Sequence, residues 1–529
     1  MIRMVAAYQR LLRKGRVRHA ILKDESVVPV ELGAMGAALH GVAIRDTPRP
    51  PTEPPTEGTM HDSSERTYQS PSDGGIRELL SMAAPLVVSQ GCETLMMFTD
   101  RLLMSRVGPA YMAATMSGGL TSFMLTTFFV GLIGYTNALV AQYYGARRPR
   151  NCGLVTGQAL IIAVIAYPVL LGTIPIGIGL FRVMHVPSEQ LVPQIQYFTV
   201  VTFGSILALF RGALSSFFSG IGRTRIVMLS AATSLVVNVV VAYVLIFGRL
   251  GLPPLGIVGA GFGMIFGSTC GICVMIVFYL KVNHRRDYGT VSGLRWHGPT
   301  MSKLLRLGSP AGTELFLNLT AFNLLVMLFH SRGPAVAAAV TVAFNWDMVS
   351  FVPLIGVNVG VASLVGRYMG AGQPDSAHRI TMSAVRLVTC YAFGIILTYS
   401  LEPRWLVQLF LEPSNHEAWQ LGIYMVRLVS VYVFADALQL VFGGALRGAG
   451  DTFATMCLSV AGHWILLLGT FVMLRVLETP TRVAWGVLVG LIWILGAVFY
   501  LRYRTGHWRT LRVVEPELEP AEDANAAPA

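Results

Sequence analysis

Between residues 76 and 503 the chain is a succession of long apolar runs separated by short polar connections. Stretches such as 154–181 and 226–247 contain no Asp, Glu, Lys or Arg. A charge-free run of about 18 residues or more is long enough, as a helix, to cross the ~30 Å hydrocarbon core of a bilayer. Twelve such segments are predicted, near 79–104, 113–143, 153–181, 195–220, 226–247, 257–281, 304–329, 336–368, 380–401, 420–446, 454–476 and 483–503. The pattern is that of an all-α polytopic membrane protein.

Composition agrees. The 529 residues are 53% hydrophobic and 13% charged, with mean hydropathy +0.59. Soluble domains carry about 25% charged residues, so a soluble enzyme, a secreted disulfide scaffold and a disordered chain are excluded. The net charge of +12 lies in the N-terminal segment and in loops, not on a nucleic-acid-binding face. Connections after the second, fourth and sixth segments hold Arg147, Arg148, Arg150, Arg223, Arg225, Lys281, Arg285 and Arg286. The C-terminal tail adds Arg502, Arg504, Arg509 and Arg512. By the positive-inside rule both termini are cytoplasmic, with the chain in the cell (inner) membrane. The six Cys are scattered, and Cys270 and Cys273, inside a span, read as packing residues.

An internal repeat organises the spans. An offset of 225 superposes Pro85 on Pro310, Gly108-Pro109-Ala110 on Gly333-Pro334-Ala335 and Gly131 on Gly356. It also superposes Tyr143 on Tyr368, Gly145-Ala146 on Gly370-Ala371 and Pro149 on Pro374. Gly220–Thr224 matches Gly448–Thr452 at 228. Each half holds an even number of spans, so the halves enter from one side as parallel repeats, with the site between them. The expected organisation is a disordered cytosolic tail over 1–75 (outside the protein if translation begins near Met60) and a six-helix lobe over 76–283. A cytoplasmic linker over 284–302, a second six-helix lobe over 303–503 and a cytosolic tail over 504–529 follow.

The sharpest chemical signal is carboxylates inside apolar segments. A mid-bilayer charge costs about 2.5–3.5 kcal/mol on insertion scales, so such groups face an internal cavity. Glu93 and Asp100 share one face of the first segment. Glu314 lies in the seventh with Asn318 four residues on, Asp347 in the eighth, and Asp436 in the tenth with Gln439 three residues on. A carboxylate withdrawn from water binds a proton more readily, and can take it up on one side and release it on the other; grouped carboxylates and amides can instead hold Na⁺. Glycines 131, 134, 356 and 360 read as helix-packing positions, and His463 as a packing residue.

The ordered motifs resemble the multidrug and toxic compound extrusion (MATE) family over about 76–503. They run from Thr99-Asp100-Arg101-Leu102-Leu103-Met104 and Val140–Ala146, through Asn238 and Gly251–Ala260, to Gly308-Ser309-Pro310, Val365–Gly372 and Gly444–Thr452. The resemblance implies two lobes in a V and export of organic cations or amphipathic drugs against inward H⁺ or Na⁺, by a monomer with no cofactor and no metal. It implies cation coupling at Asp100, Asn238, Glu314 and Asp436; Asp347 is an addition to the family pattern, and from their placement the three second-lobe acids are expected to make up one coupling site. Gln439, Asn318, Phe322, Phe344 and Trp346 are the expected substrate contacts. The chain departs from the family pattern in having Ala242 and Asn318 where acids are common, and Val340-Thr341 for a His-Gln pair. The competing readings are a lipid-linked oligosaccharide flippase, which calls for a cationic cavity where this chain offers chiefly acids and Arg211, and a membrane-embedded enzyme, for which no catalytic motif is found.

Overall fold

A computed structural model of the chain describes residues 75–514, apart from His185 and residues 412–414. The expected N-terminal tail, and the C-terminal tail beyond 514, lie outside the described residues. Every regular element among the described residues is helical. The first half contains α1 (Ile76–Val107), α2 (Pro109–Gly134), α3 (Thr136–Gly145), α4 (Pro149–Gly172), α5 (Ile174–Val183), α6 (Ser188–Phe203), α7 (Ser205–Gly220), α8 (Thr224–Phe247) and α9 (Ile257–Tyr279). A short α10 (Val282–Tyr288) leads to the second half. There α11 (Gly298–His330), α12 (Pro334–Gly370), α13 (Pro374–Leu401), α14 (Pro403–Gln408), α15 (His416–Ala449), α16 (Thr452–Phe471) and α17 (Thr481–Arg504) follow.

Among the described residues eleven spans are long and apolar enough to cross a membrane, and α6 with α7, bent by 41°, makes a twelfth when taken as one broken span. The predicted fourth segment therefore starts earlier, at Ser188, and is broken at Gly204. The polar start of α6 is held inside the lobe, where Gln190 donates to Ser117 and to Gln194. Large apolar side chains such as Phe98, Ile165, Phe393 and Ile494 point outward, where lipid replaces water as solvent. Each half keeps its own core: Phe217, Phe218, Tyr279 and Tyr288 cluster in the first lobe, and Phe329, Tyr432, Trp485 and Phe499 in the second.

The two lobes meet through backbone. A Cβ added to Gly131 would lie 2.7 Å from Gly312 Cα, and one added to Gly356 would lie 2.7 Å from Val87. These are one contact seen twice, because the 225 offset converts Val87 into Gly312 and Gly131 into Gly356. Further along, a methyl group at Gly145 would overlap the Arg367 carbonyl, and one at Gly370 would overlap the Gln142 carbonyl, again a pair related by 225. Polar bonds reinforce the same end: Gln142 Nε2 donates to Gly448 O (2.7 Å), Ser363 Oγ to Ser219 O (2.8 Å) and Tyr368 Oη to Glu78 (2.6 Å). Lipid offers no hydrophobic drive between helices, so close backbone approach at small residues supplies the attraction.

This sealed end carries the Arg-rich connections, the linker and the chain's exit. The linker docks on α4, where buried Gln158 donates to Arg295 O (2.7 Å) and accepts from His297 N (3.1 Å). Beyond α17, Trp508 stacks on Tyr503 and donates to its carbonyl. The chain then crosses to the first lobe, where Val513 and Val514 pack on that lobe's core and Lys303 Nζ donates to Val513 O (2.9 Å). Gly145→Val and Gly370→Val should each destabilise the sealed arrangement by about 1–3 kcal/mol through overpacking. Gly172→Val, with nothing within 4 Å of its added Cβ, should leave it unaffected. Thermal unfolding of the three variants in one detergent checks the contrast.

Candidate functional site

The Val87–Gly356 and Gly131–Gly312 crossings are the outermost of the interlobe glycine contacts among the described residues. Inward of them α12 is buried continuously over 361–368. Outward of them α1, α2, α11 and α12 expose residues such as Met97, Met116, Leu315 and Met348. Among the described residues, glycine contact between the lobes thus ends at these crossings, and the interior carboxylates lie beyond them.

In the first lobe, the α1 stripe Leu79, Met82, Leu86, Ser89, Met96, Asp100 is buried at helical spacing, and Glu93 lies on it. Asp100 is 1% exposed and Asn238, from α8, is fully buried. Their side chains face each other, near enough for the amide to interact with the carboxylate, but outside good hydrogen-bond geometry. Tyr197 of α6 stands near enough to feel the Asp100 charge. About 10 Å along the helix, Glu93 is neutralised by an ion pair with Arg211 of α7. A polar site with unmet oxygens and a compensated pair thus share one lobe.

The second lobe repeats this division with other residues. Asp347 of α12 and Asp436 of α15 are near enough for their charges to interact, and the Tyr432 hydroxyl sits beside the Asp347 carboxyl. Asp347 Oδ1 is buried without a partner. Glu314, expected with these two, is elsewhere. Arg447, eleven residues beyond Asp436 on α15, bonds Glu314 Oε1 at 3.1 Å and reaches Asn358 Oδ1 at 3.5 Å. Asn318 donates to Ser459 Oγ (2.8 Å) near this cluster, and His463, bonded to Ser459 O, feels the Glu314 charge. The single three-acid site expected from the sequence is therefore two sites, because an arginine inside the lobe draws Glu314 to itself.

The aromatic expectations divide too. Phe322 packs edge-on against Phe344, which continues to Trp485, a wall between α11, α12 and α17. Trp346 is instead a packing residue at the other side of α12, donating to Leu406 O and meeting Tyr399 and Phe410 edge-on. Gln439 is half-buried on α15 one turn from Asp436. Sequence reasoning missed Asn358, Arg447 and Ser459. Arg447 lies in the Gly444–Thr452 repeat motif, which was the available signal.

Up to twelve spans among the described residues, in two pseudo-equivalent lobes with carboxylates inside them, define a polytopic membrane transporter. The MatE family model matches residues 85–244 and 310–472, so each lobe carries one copy, and the chain belongs to the MatE family. It is 27% identical over 476 residues to the multidrug resistance protein PmpM of Pseudomonas aeruginosa, covering 85% of this chain and 95% of that one. It is 28% identical over 393 residues to the probable multidrug resistance protein NorM of Rhodopseudomonas palustris, covering 74% and 83%. A MOP superfamily transporter from Pyrococcus furiosus shares the fold, with TM-score 0.76, 18% identity, and coverage of 86% and 100%. An outward-facing MATE family transporter of that superfamily matches at TM-score 0.76 and 18% identity, covering 83% and 98%.

Arg447→Gln should destabilise the protein by about 3 kcal/mol or more, since it strands the buried Glu314 charge. Adding Glu314→Gln should recover at least about 1 kcal/mol of that loss, measured as a double-mutant cycle in thermal or denaturant unfolding.

Proposed function

We propose that the protein exports organic cations and amphipathic drugs across the inner membrane in exchange for an inward-flowing H⁺ or Na⁺, acting as a monomer by alternating access. In this reading the basic, sealed end faces the cytoplasm, in keeping with the positive-inside rule, and the opposite end faces outward. The observation that carries the proposal is the pair of uncompensated acid sites, Asp100 with Asn238 and Asp347 with Asp436, one in each lobe. An unpaired carboxylate in a low-dielectric interior attracts a cation strongly, so coupling ion and cationic drug compete for the same charge. The names of the curated relatives, multidrug resistance proteins, support the substrate class.

Either ion suits these sites: a proton needs a single carboxyl, and Asp100 with Asn238 offers carboxylate and amide oxygens of the kind that hold Na⁺. The arginines that suit an oligosaccharide flippase, Arg211 and Arg447, are each neutralised by a glutamate, which favours the exporter.

One charge moving inward through 100 mV supplies about 2.3 kcal/mol, enough for a roughly fiftyfold drug gradient. In proteoliposomes given a pH or Na⁺ gradient, wild-type protein should accumulate an organic cation, and Asp436→Asn should bring accumulation to near unity. Undiminished transport by Asp436→Asn removes that residue from coupling. Equal transport with neither gradient rejects antiport altogether.

A further inference from the structure

The linker between the halves presents apolar side chains to its surroundings from a rigid backbone. A methyl group on Gly157 of α4 would overlap the Gly293 carbonyl, and one on Gly153 would overlap the Tyr288 carbonyl. Gln158 holds the residues on either side of Trp296, through Arg295 O and His297 N. His297 Nδ1 in turn accepts from Thr300 N at the start of α11. Trp296 is thus fixed, yet 63% of it is exposed, and Val291 and Leu294 of the same linker are exposed as well. The ring borders a groove of about 510 Å³ whose lining includes Met301, Ser302, Leu305, Arg306 and Ser309, along the first turns of α11. Between 289 and 309 the chain carries Arg295, Lys303 and Arg306 and no Asp or Glu. Lys303 is occupied by Val513 O, whereas Arg295 and Arg306 have no carboxylate partner among the described residues. The 225 offset turns Arg306 into Ser81, so the repeat does not call for a cation there.

We propose that this groove binds one phospholipid with an anionic headgroup, Arg306 and Ser302 taking the headgroup while Trp296 and Leu305 flank the acyl chains. The inference goes beyond the export reading and does not rest on it. Depth selects a lipid. Arg306 lies two residues inside the predicted apolar run 304–329, the level at which acyl chains give way to headgroups, and its long stem lets the guanidinium snorkel to that boundary. Indole rings favour the same level, being apolar in body and polar at one edge. Charge selects the headgroup. A zwitterionic headgroup brings its own cation against Arg306, whereas an anionic one meets only attraction, as basic segments beside a span do at a membrane surface. A soluble phosphate has no use for the apolar wall beside the arginine. Because Gln158 already holds the chain on both sides of Trp296, a lipid that enters orders little that is not ordered beforehand.

Tryptophan quenching tests the site in purified full-length protein in nonionic detergent, titrated with phosphatidylglycerol or phosphatidylcholine brominated on one acyl chain. Phosphatidylglycerol should quench wild type at a mole fraction about fivefold lower than phosphatidylcholine does, the effect of one cation at the interface. Trp296→Phe should lose that headgroup-dependent share of the quenching. Arg306→Gln should bring the two lipids to the same midpoint, and Arg306→Lys should keep their order. Arg150→Gln, which removes an exposed cation elsewhere at the basic end, should leave the preference unchanged, with thermal unfolding confirming that each variant is folded. Equal midpoints in wild type, or an undiminished preference in Arg306→Gln, overturn the site. Competition by glycerol 3-phosphate assigns the groove to soluble phosphates and overturns the lipid. A dimer in light scattering that Trp296→Phe dissolves assigns it to a second copy of the chain, with the same consequence.

Discussion

The structure depends on helices from the two lobes approaching to backbone distance at one end. Gly131 against Gly312, Val87 against Gly356, and Gly145 and Gly370 against their opposite strands of helix form a dyad-related seam in which any side chain would intrude. Within a bilayer such contacts rely on van der Waals packing and exposed peptide groups. They are therefore directional and short-ranged, unlike an apolar surface in water. A seam of this kind holds firmly when registered and holds little once displaced by an ångström or two. In the export reading proposed above, this seam is the element that alternating access would open and close.

Electrostatics divides the interior in two. In each lobe one glutamate is neutralised by an arginine, Glu93 by Arg211 and Glu314 by Arg447, and the neutral pair lies near the seam. Asp100, Asp347 and Asp436 lie farther out with an amide, a tyrosine or each other for company, and Asp100 and Asp347 have oxygens left unbonded. The arginines thus determine which acids are left without a cationic partner.

Much of the fold was legible in the chain. Spans follow from charge-free length, and the repeat is written in Gly and Pro positions because the seam tolerates few other residues, so an offset of 225 survives where side chains have diverged. The site was legible only in part. Asp100 with Asn238 and Asp347 with Asp436 are brought together by helix packing that sequence spacing does not encode. Glu314 and Arg447 lie 133 positions apart, and nothing local distinguishes an arginine reaching into a lobe from one setting topology near a helix end. Trp346 failed for a related reason: helical position gives the face of α12, but only the packing of α13 and α14 shows that this face is occupied. The fourth span was misread at its start because polar Gln190 and Gln194 pair inside the lobe.

The central claim is that the seam and the cleft exchange states, one end closing as the other opens. Spin labels at Met112 and Ala337 report the outer ends of α2 and α12, and labels at Arg150 and Gln373 report the sealed end. Double electron–electron resonance distances should move in opposite senses when the coupling cation is replaced by drug: the outer pair shortens while the inner pair lengthens. Inner and outer distances that change together, or an inner distance fixed under all ligand conditions, would contradict the account.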